Sequence, residues 1–241
     1  MPISLGSRFR FRLIPFLAVA VAVAIGVTAG QWQTRRGDAK QAIEALMAAR
    51  EVAAPVIIGD APLQPDAVEY AHVKVRGQFV SDWPLFLDNR PQQGKAGFYV
   101  LMPLKIEGSE RHVLVARGWA PRNLADRMRL PEFVTPTAIV EIDGLARKNT
   151  GHVMQLGTAP KIAPGAILQN LEIEDFAAAS HLTLQPFILE QHLDTADGLA
   201  RDWPRPSGGI EKHRGYAVQW YGLALAALLF FIVTGFRRES K

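Results

Sequence analysis

The sequence predicts an α+β membrane protein in which two transmembrane helices flank a β-rich extracytoplasmic domain. Two uncharged apolar runs, one near each end of the chain, are long enough to cross a bilayer. Between them lie roughly 180 residues, enough for one domain with a core of its own. This middle part shows short alternating strands separated by turn residues. We therefore expect an antiparallel sheet or a barrel-like sheet with one helix packed on it.

The composition excludes several classes of protein. Hydrophobic residues make up 49% of the chain and charged residues 21%, which is ordinary for a globular protein apart from the two terminal runs. The net charge is +4, but the basic residues collect beside the apolar runs and are otherwise interleaved with acidic ones, so we expect no nucleic-acid partner. The absence of cysteine excludes disulfides, thiolate metal sites and a covalently attached c-type haem.

The first predicted transmembrane helix covers residues 13–30. Its first 17 residues carry no charge, a run longer than the roughly 7 to 15 apolar residues of a signal peptide. The small residues Ala29 and Gly30 at its end leave cleavage open as the alternative. We interpret the run as a retained anchor that follows a cytoplasmic N-terminus at residues 1–12.

The second predicted transmembrane helix covers residues 215–236. No charged residue occurs in this range, and at about 1.5 Å per residue a helix of this length matches a hydrocarbon core of about 30 Å. Residues 237–241 then form a short cytoplasmic C-terminus.

Loop length rather than charge balance predicts the orientation. The basic residues beside the runs are balanced, with Arg8, Arg10, Arg12, Arg237, Arg238 and Lys241 outside the pair and Arg35, Arg36, Lys40, Arg205, Lys212 and Arg214 between them. A segment as long as 31–214 translocates largely regardless of its charge, so we place it outside the cytoplasm. The first span begins too early to leave room for a mitochondrial transit peptide. This favours a bacterial inner membrane with the main domain in the periplasm.

Six stretches of the middle segment have the alternation or the β-rich composition of strands. They are residues 69–79, 85–89, 98–106, 112–119, 139–146 and 186–191. Residues 31–51 continue the first helix in water with an apolar stripe, and Pro55 ends it. Asn170 is expected to cap a short helix that runs to Ser180. Residues 202–209, rich in Pro and Gly, lead back to the membrane.

The start of the second span carries the main candidate site. At helical spacing His213, Tyr216, Ala217 and Trp220 share one face where the helix enters the bilayer. A neutral imidazole at this depth can ligate the iron of a non-covalently held haem. The alternative is an interfacial anchor, because polar-tipped aromatic side chains concentrate at this depth. Gln219 favours a binding role, since an amide inside the membrane needs a partner.

The end of the first span lies at the same depth as this site. Gly30 permits a close approach of the two helices. Trp32 and Trp220 either bracket a flat ligand or sit at the membrane interface.

Other candidate residues favour structural roles. None of the six histidines is paired at a metal-ligand spacing, and His72 and His112 occupy polar strand positions typical of solvated side chains. A membrane-anchored hydrolase would need a polar cluster in the middle domain. Asp88, Asn89 and Arg90 are the nearest candidates, and they are more typical of a turn after a strand. We therefore expect no enzymatic activity.

Five short sequence motifs occur between the end of the first span and the start of the second. They are Gly30-Gln31-Trp32-Gln33 with Arg35 and Arg36; Tyr70 with Val73 and Arg76-Gly77-Gln78-Phe79; Gly97-Phe98-Tyr99-Val100 with Pro103; Val115-Ala116-Arg117-Gly118-Trp119-Ala120-Pro121; and His213-Arg214-Gly215-Tyr216-Ala217-Val218-Gln219-Trp220. In this order they resemble the Surfeit locus protein 1 family over nearly the whole chain.

The resemblance implies an assembly factor for haem-copper oxidases that helps to place haem A in the large catalytic subunit. Bacterial members look like haem A binders, and that role transfers to His213 as the iron ligand. From their placement beside His213 we add the hypothesis that Trp32 and Trp220 pack on the macrocycle, with Tyr216 as a further residue of the site. The implied partners are the large catalytic subunit, the lipid bilayer and the haem A synthesis machinery. The family serves cytochrome c and quinol oxidases alike. A membrane-tethered scaffold that binds no haem is the alternative function.

Overall fold

The computed structural model describes residues 8–9, 11–126, 128–155, 157–204 and 208–237. The elements are, in chain order, β1 (Arg8–Phe9), α1 (Leu13–Glu51), β2 (Val56–Ile57), α2 (Pro65–Val68), β3 (His72–Phe79), β4 (Leu85–Leu87), β5 (Gly97–Ile106), β6 (His112–Pro121), β7 (Val140–Arg147), β8 (Ile167–Leu168), α3 (Ile173–Ser180), β9 (Leu184–Gln191), α4 (Ile210–Gly235) and β10 (Phe236–Arg237). The chain divides into two compact units. One comprises Met1–Ala45 and Arg205–Lys241, and the other runs from Leu46 to Pro204.

Two long helices confirm the prediction of a membrane protein with helices at both ends of a β-rich domain. By length and apolar composition, both α1 and α4 are able to cross a membrane. α1 has 39 residues, continues unbroken into its polar second half as its apolar stripe predicts, and ends at Glu51 before Pro55. α4 has 26 residues and begins at Ile210, ahead of the predicted span. The limits of the spans themselves, 13–30 and 215–236, stay predictions.

A closed barrel of five strands forms the centre of the β domain. The strands pair in the order β3, β7, β9, β6 and β5, and the pairing of β5 with β3 closes the ring. β4 and β8 extend the sheet beyond β5, and β2 lies beside β3. The barrel-like sheet and all six predicted strands are therefore confirmed.

Three strand pairs are parallel, and the expectation of an antiparallel sheet is wrong for them. β6 pairs with β9, β2 with β3 and β4 with β8 in the parallel sense. The connection after β6 places β7 between β3 and β9, so β6 meets a strand that is distant in sequence and runs in its own direction. β5 and β6, which are neighbours in sequence, do pair in the expected antiparallel sense.

One face of each barrel strand fills the barrel interior. The side chains of this inner core include Val73, Val75, Met102, Leu104, Val113, Val115, Ile142, Ala146, Phe187 and Leu189. The opposite faces of β5, β6 and β9 form a second core with side chains of β4, β8 and α3, where Phe176 is fully buried. Burial on both faces explains why β5 and β6 are apolar almost throughout, whereas β3 alternates.

A bulge in β6 turns one arginine into the protein interior. Val100 pairs with Gly118 and Leu101 with Ala116, so Arg117 is an extra residue between two ladder positions. Its side chain is 1% exposed. Trp119, two residues further along β6, is buried in the core on the other face of the sheet.

The Arg117 guanidinium joins two connections of the domain. It donates to Thr135 Oγ1 at 2.7 Å, to the Val134 carbonyl at 2.8 Å and to Asp197 Oδ2 at 2.8 Å. Asp197 also accepts from Arg201 at 2.7 Å. The loop after β6 and the loop after β9 are thus held together by two buried cations on one buried carboxylate. Burial raises the pKa of Asp197, but the bond and charge of Arg201, the Leu199 N–H and the charge of Arg117 outweigh burial and lower it overall.

Two local predictions about this domain are wrong. His112 is only 7% exposed, and its backbone N–H donates to the carbonyl of Thr183, the residue before the parallel neighbour β9. Burial lowers the pKa of its imidazole. Asn170 does not cap α3. Its amide instead bonds both the N–H and the carbonyl of Val153, and Glu172 is the N-cap residue.

Asp197→Ala should destabilise the domain by about 3–5 kcal/mol, because it leaves two buried guanidinium groups without a carboxylate. Denaturant unfolding of the full chain in detergent, followed by tryptophan fluorescence, measures this change. Glu132→Ala is the matched control, since its partner Arg129 lies 3.7 Å away at an exposed site, and such pairs contribute about 0–1 kcal/mol. Equal losses in the two variants would contradict the assigned role.

The same carboxylate predicts a pH dependence. Because the pKa of Asp197 is lowered in the folded state, its stabilising contribution is fully present above the ordinary carboxyl pKa of about 4 and declines as the pH falls through the lowered value. Acid unfolding of wild type and Asp197→Ala should converge at low pH. A constant stability difference down to the acid limit would contradict this sign.

Candidate functional site

Glycines bring α1 and α4 into close contact. A Cβ added at Gly26 would lie 2.9 Å from the Ala224 Cβ and 3.0 Å from the Trp220 carbonyl oxygen. At Gly30 it would lie 2.6 Å from the Tyr221 ring. Small residues at such positions let helix backbones approach closely, as predicted for Gly30. The polar residues after Gly30 on α1 and those in the first turns of α4 are therefore brought within reach of one another.

His213 is held by an amide of the facing helix. Its Nδ1 lies 2.7 Å from Oε1 of Gln33, and the histidine ring is half-buried. An amide oxygen only accepts hydrogen bonds, so Nδ1 is the donor in this contact, and in the neutral ring Nε2 then keeps its lone pair. The contact thus fixes both the tautomer and the orientation of the ring, as hydrogen-bond partners of metal-binding histidines do.

Further polar contacts join the first turns of α4 to α1 beyond Gln33. Arg214 donates to Gln41 Oε1 at 2.7 Å, and Lys40 Nζ donates to the Gly208 carbonyl at 2.6 Å. On α1 both partners lie beyond Gln33, in the polar half of that helix. The imidazole therefore stands where an apolar helix pair changes into a polar one.

The other predicted site residues differ in their exposure and in the helix that carries them. Tyr216 is 53% exposed and Trp220 is half-buried on α4. Trp32 is 50% exposed and carries the guanidinium of Arg36 at 5.8 Å from its ring centre. At about 100° per residue, Trp32 lies some 200° around α1 from Gly30, away from the side that faces α4. The structure therefore places Tyr216 and Trp220 on the helix of His213 and Trp32 on the outer side of α1.

Sequence reasoning missed Gln33. It singled out Gln219, which is exposed on α4. The signal was present, because Gln33 is three residues after Gly30 and four before Gly37, and these spacings put all three on one helix face. An added Cβ at Gly37 would lie 3.7 Å from the His213 Cβ, which agrees with that face.

The polar residues considered for a hydrolase have structural partners. Asn89, two residues after β4, adopts a left-handed conformation with φ of 58°, as expected of a turn. Asp88 pairs with Arg122, and buried Arg90 donates to the carbonyl of Gly151 at 2.9 Å. Within the described ranges, no three His, Asp or Glu side chains are grouped so as to hold a metal ion.

This fold is that of a membrane protein with two apolar helices and one barrel domain between them in the chain. The model of the SURF1 family matches residues 20–225. A SURF1-like protein of Rickettsia felis is 23% identical over 229 residues, which cover 90% of this chain and 95% of that protein. Surfeit locus protein 1 of Rattus norvegicus is 29% identical over 234 residues, 88% of this chain and 72% of that protein. The chain belongs to the SURF1 family, whose members are generally known as oxidase assembly factors.

Gly30→Val should destabilise the helix pair by about 1–3 kcal/mol, because the new side chain overlaps the Tyr221 ring. Thermal unfolding of the detergent-solubilised chain measures the effect. Gly222→Val is the control, since an added Cβ at Gly222 meets nothing within 4 Å. If both variants lost the same stability, helix propensity and not the close approach would explain the change.

Proposed function

We propose that this protein assists the assembly of a haem-copper cytochrome c oxidase by binding haem A transiently at its helix pair and passing it to the large catalytic subunit. Family membership supports the assembly role. The hydrogen bond between Gln33 and His213 carries the haem-binding part, because it leaves Nε2 of one imidazole with a free lone pair at the edge of an apolar helix pair.

The residues present fit a non-covalently held haem. When bound, haem A supplies an iron that takes an imidazole as axial ligand. His213 would provide that ligand through Nε2, while Gln33 keeps its Nδ1–H occupied. The exposed ring of Tyr216 and the half-buried Trp220 would pack on the macrocycle from α4. Trp32, on the outer side of α1, would sit at the membrane interface instead. A single protein ligand suits a carrier, since it must release its cargo.

The two long helices support a location in a bacterial inner membrane, with both termini in the cytoplasm and the barrel domain in the periplasm. In this arrangement the barrel domain is the part that would dock the large catalytic subunit. The haem A synthesis machinery would be the source of the cargo. The role is non-catalytic.

A scaffold that binds no haem is the second candidate. The exposed aromatic rings of Tyr216 and Tyr221 favour it, because such rings anchor helices at the membrane interface without any ligand. In that case His213 would be part of the contact between the helices and nothing more.

His213→Ala should abolish the haem A Soret band of the protein purified in detergent from cells that make haem A. The reason is the loss of the proposed axial ligand. His152→Ala is the control, since His152 is an exposed histidine of the barrel domain, 58% exposed at its side chain. A Soret band that persists in His213→Ala would contradict the ligand role, and no band in wild type would favour the scaffold.

Gln33→Leu should weaken haem A binding about 10- to 100-fold, the usual effect of losing the hydrogen-bond partner of a ligating histidine. Gln33→Glu should retain binding, because a carboxylate also accepts from Nδ1–H. Titration of each variant with haem A, followed by absorption, gives the dissociation constants. Equal binding by Gln33→Leu and wild type would show that the amide does not orient the imidazole.

A further inference from the structure

The contacts between α1 and α4 define the side of the helix pair on which His213 lies. Gly26 lies against Ala224 in the middle of α4. Gly37, further along α1, lies against His213 near the start of α4, so the two helices run antiparallel. Gln33 is four residues before Gly37, which rotates it about 40° around α1 from the line of close approach. We call the side that carries the hydrogen bond between Gln33 and His213 the histidine side.

Arg36 lies on the histidine side of α1. It follows Gln33 by three residues, and this spacing rotates it about 60° further from the line of close approach in the same direction. Because the helices are antiparallel, the same spacing places Tyr216, three residues after His213, on the histidine side of α4. Arg36 and Tyr216 are both exposed. They therefore flank the contact between the helices, one on each helix.

The guanidinium of Arg36 is available to an anion. With the residues that the structure describes, Arg36 forms no ion pair, and its guanidinium lies 5.8 Å from the ring centre of Trp32. Two other cations near the contact are engaged differently. Lys40 donates to the carbonyl of a loop residue at 2.6 Å, and Arg214 donates to the amide oxygen of Gln41 at 2.7 Å.

We propose, on the basis of the function proposed above, that Arg36 binds a propionate carboxylate of the haem held by His213. Every haem of this type carries its two propionates on one edge of the macrocycle. Arg36 lies about 4.5 Å beyond Gln33 toward the polar half of α1. Tyr216 lies on the other side of the imidazole, toward the apolar part of α4.

This arrangement orients an amphipathic ligand. A guanidinium binds a carboxylate through two parallel N–H···O bonds, which fixes direction as well as adding affinity. The carboxylate edge of the macrocycle would then face the polar half of α1, and its apolar edge would lie beside Tyr216. Arg36 is therefore a second contact, besides the iron ligand, by which this chain selects a haem with free propionates.

Titration of the full chain in detergent with haem A and with its dimethyl ester, followed by absorption, tests this inference. Both propionates of the ester are uncharged. Arg36→Gln should bind haem A about tenfold more weakly than wild type, as expected for the loss of one charge-assisted pair. Its affinity for the ester should stay within about twofold of wild type, since that ligand offers no carboxylate. Arg36→Lys keeps the charge and should recover most of the affinity for haem A.

Arg35→Gln is the matched control. It removes the same charge from the adjacent exposed residue, which lies about 160° around α1 from Gly37 and so away from α4. Its affinity for haem A should stay within about twofold of wild type, because only the overall charge changes.

The outcomes separate this inference from the proposed function. Equal losses for haem A and for the ester in Arg36→Gln would overturn the inference, because the arginine would not act through a propionate. Equal losses in Arg35→Gln and Arg36→Gln would overturn it in favour of overall charge. Unchanged haem A binding by Arg36→Gln would overturn it and leave the role of His213 intact. Failure of wild type to bind either ligand would overturn the proposed function and the inference together.

Discussion

The hydrogen bond from His213 Nδ1 to Gln33 Oε1 is the constraint on which the helix pair and its proposed chemistry depend. It forms at 2.7 Å because glycines let α1 and α4 approach closely. A bulky residue at Gly30 would therefore act on the imidazole from a distance, through the spacing of the helices. The same bond decides which ring nitrogen is left to a ligand. The close packing of α1 and α4 therefore also determines how the His213 imidazole is oriented.

In the barrel domain, buried contacts fix long loops onto a small sheet. Its five strands close around an apolar interior, and the bulge at Arg117 directs one cation toward the loops that follow β6 and β9. Asp197 binds two arginines at once, so removing it leaves uncompensated charge rather than one lost bond. This buried cluster stabilises the domain that the proposed function assigns to a protein partner.

Most of the fold could be predicted from the sequence because its signals are local. Apolar length gave the helices, and alternation with turn residues gave the six strands. The parallel pairing of β6 with β9, the burial of His112 and the pairing of β1 with β10 depend on residues far apart in sequence, which no local pattern encodes. Of the two residues in the central contact of the candidate site, the sequence analysis predicted one. His213 stood out by its place at the start of an apolar helix, whereas its partner Gln33 appears only once both helix faces are known.

The most direct test of the central claim is the tautomer of His213, measured by nitrogen-15 NMR of the histidine-labelled chain in detergent, with His213→Ala to assign the signal. The proposed function predicts a neutral ring with its proton on Nδ1 and an unprotonated Nε2. Addition of haem A should then perturb Nε2. A ring with its proton on Nε2 would contradict the claim, because that nitrogen would have no lone pair to offer to iron.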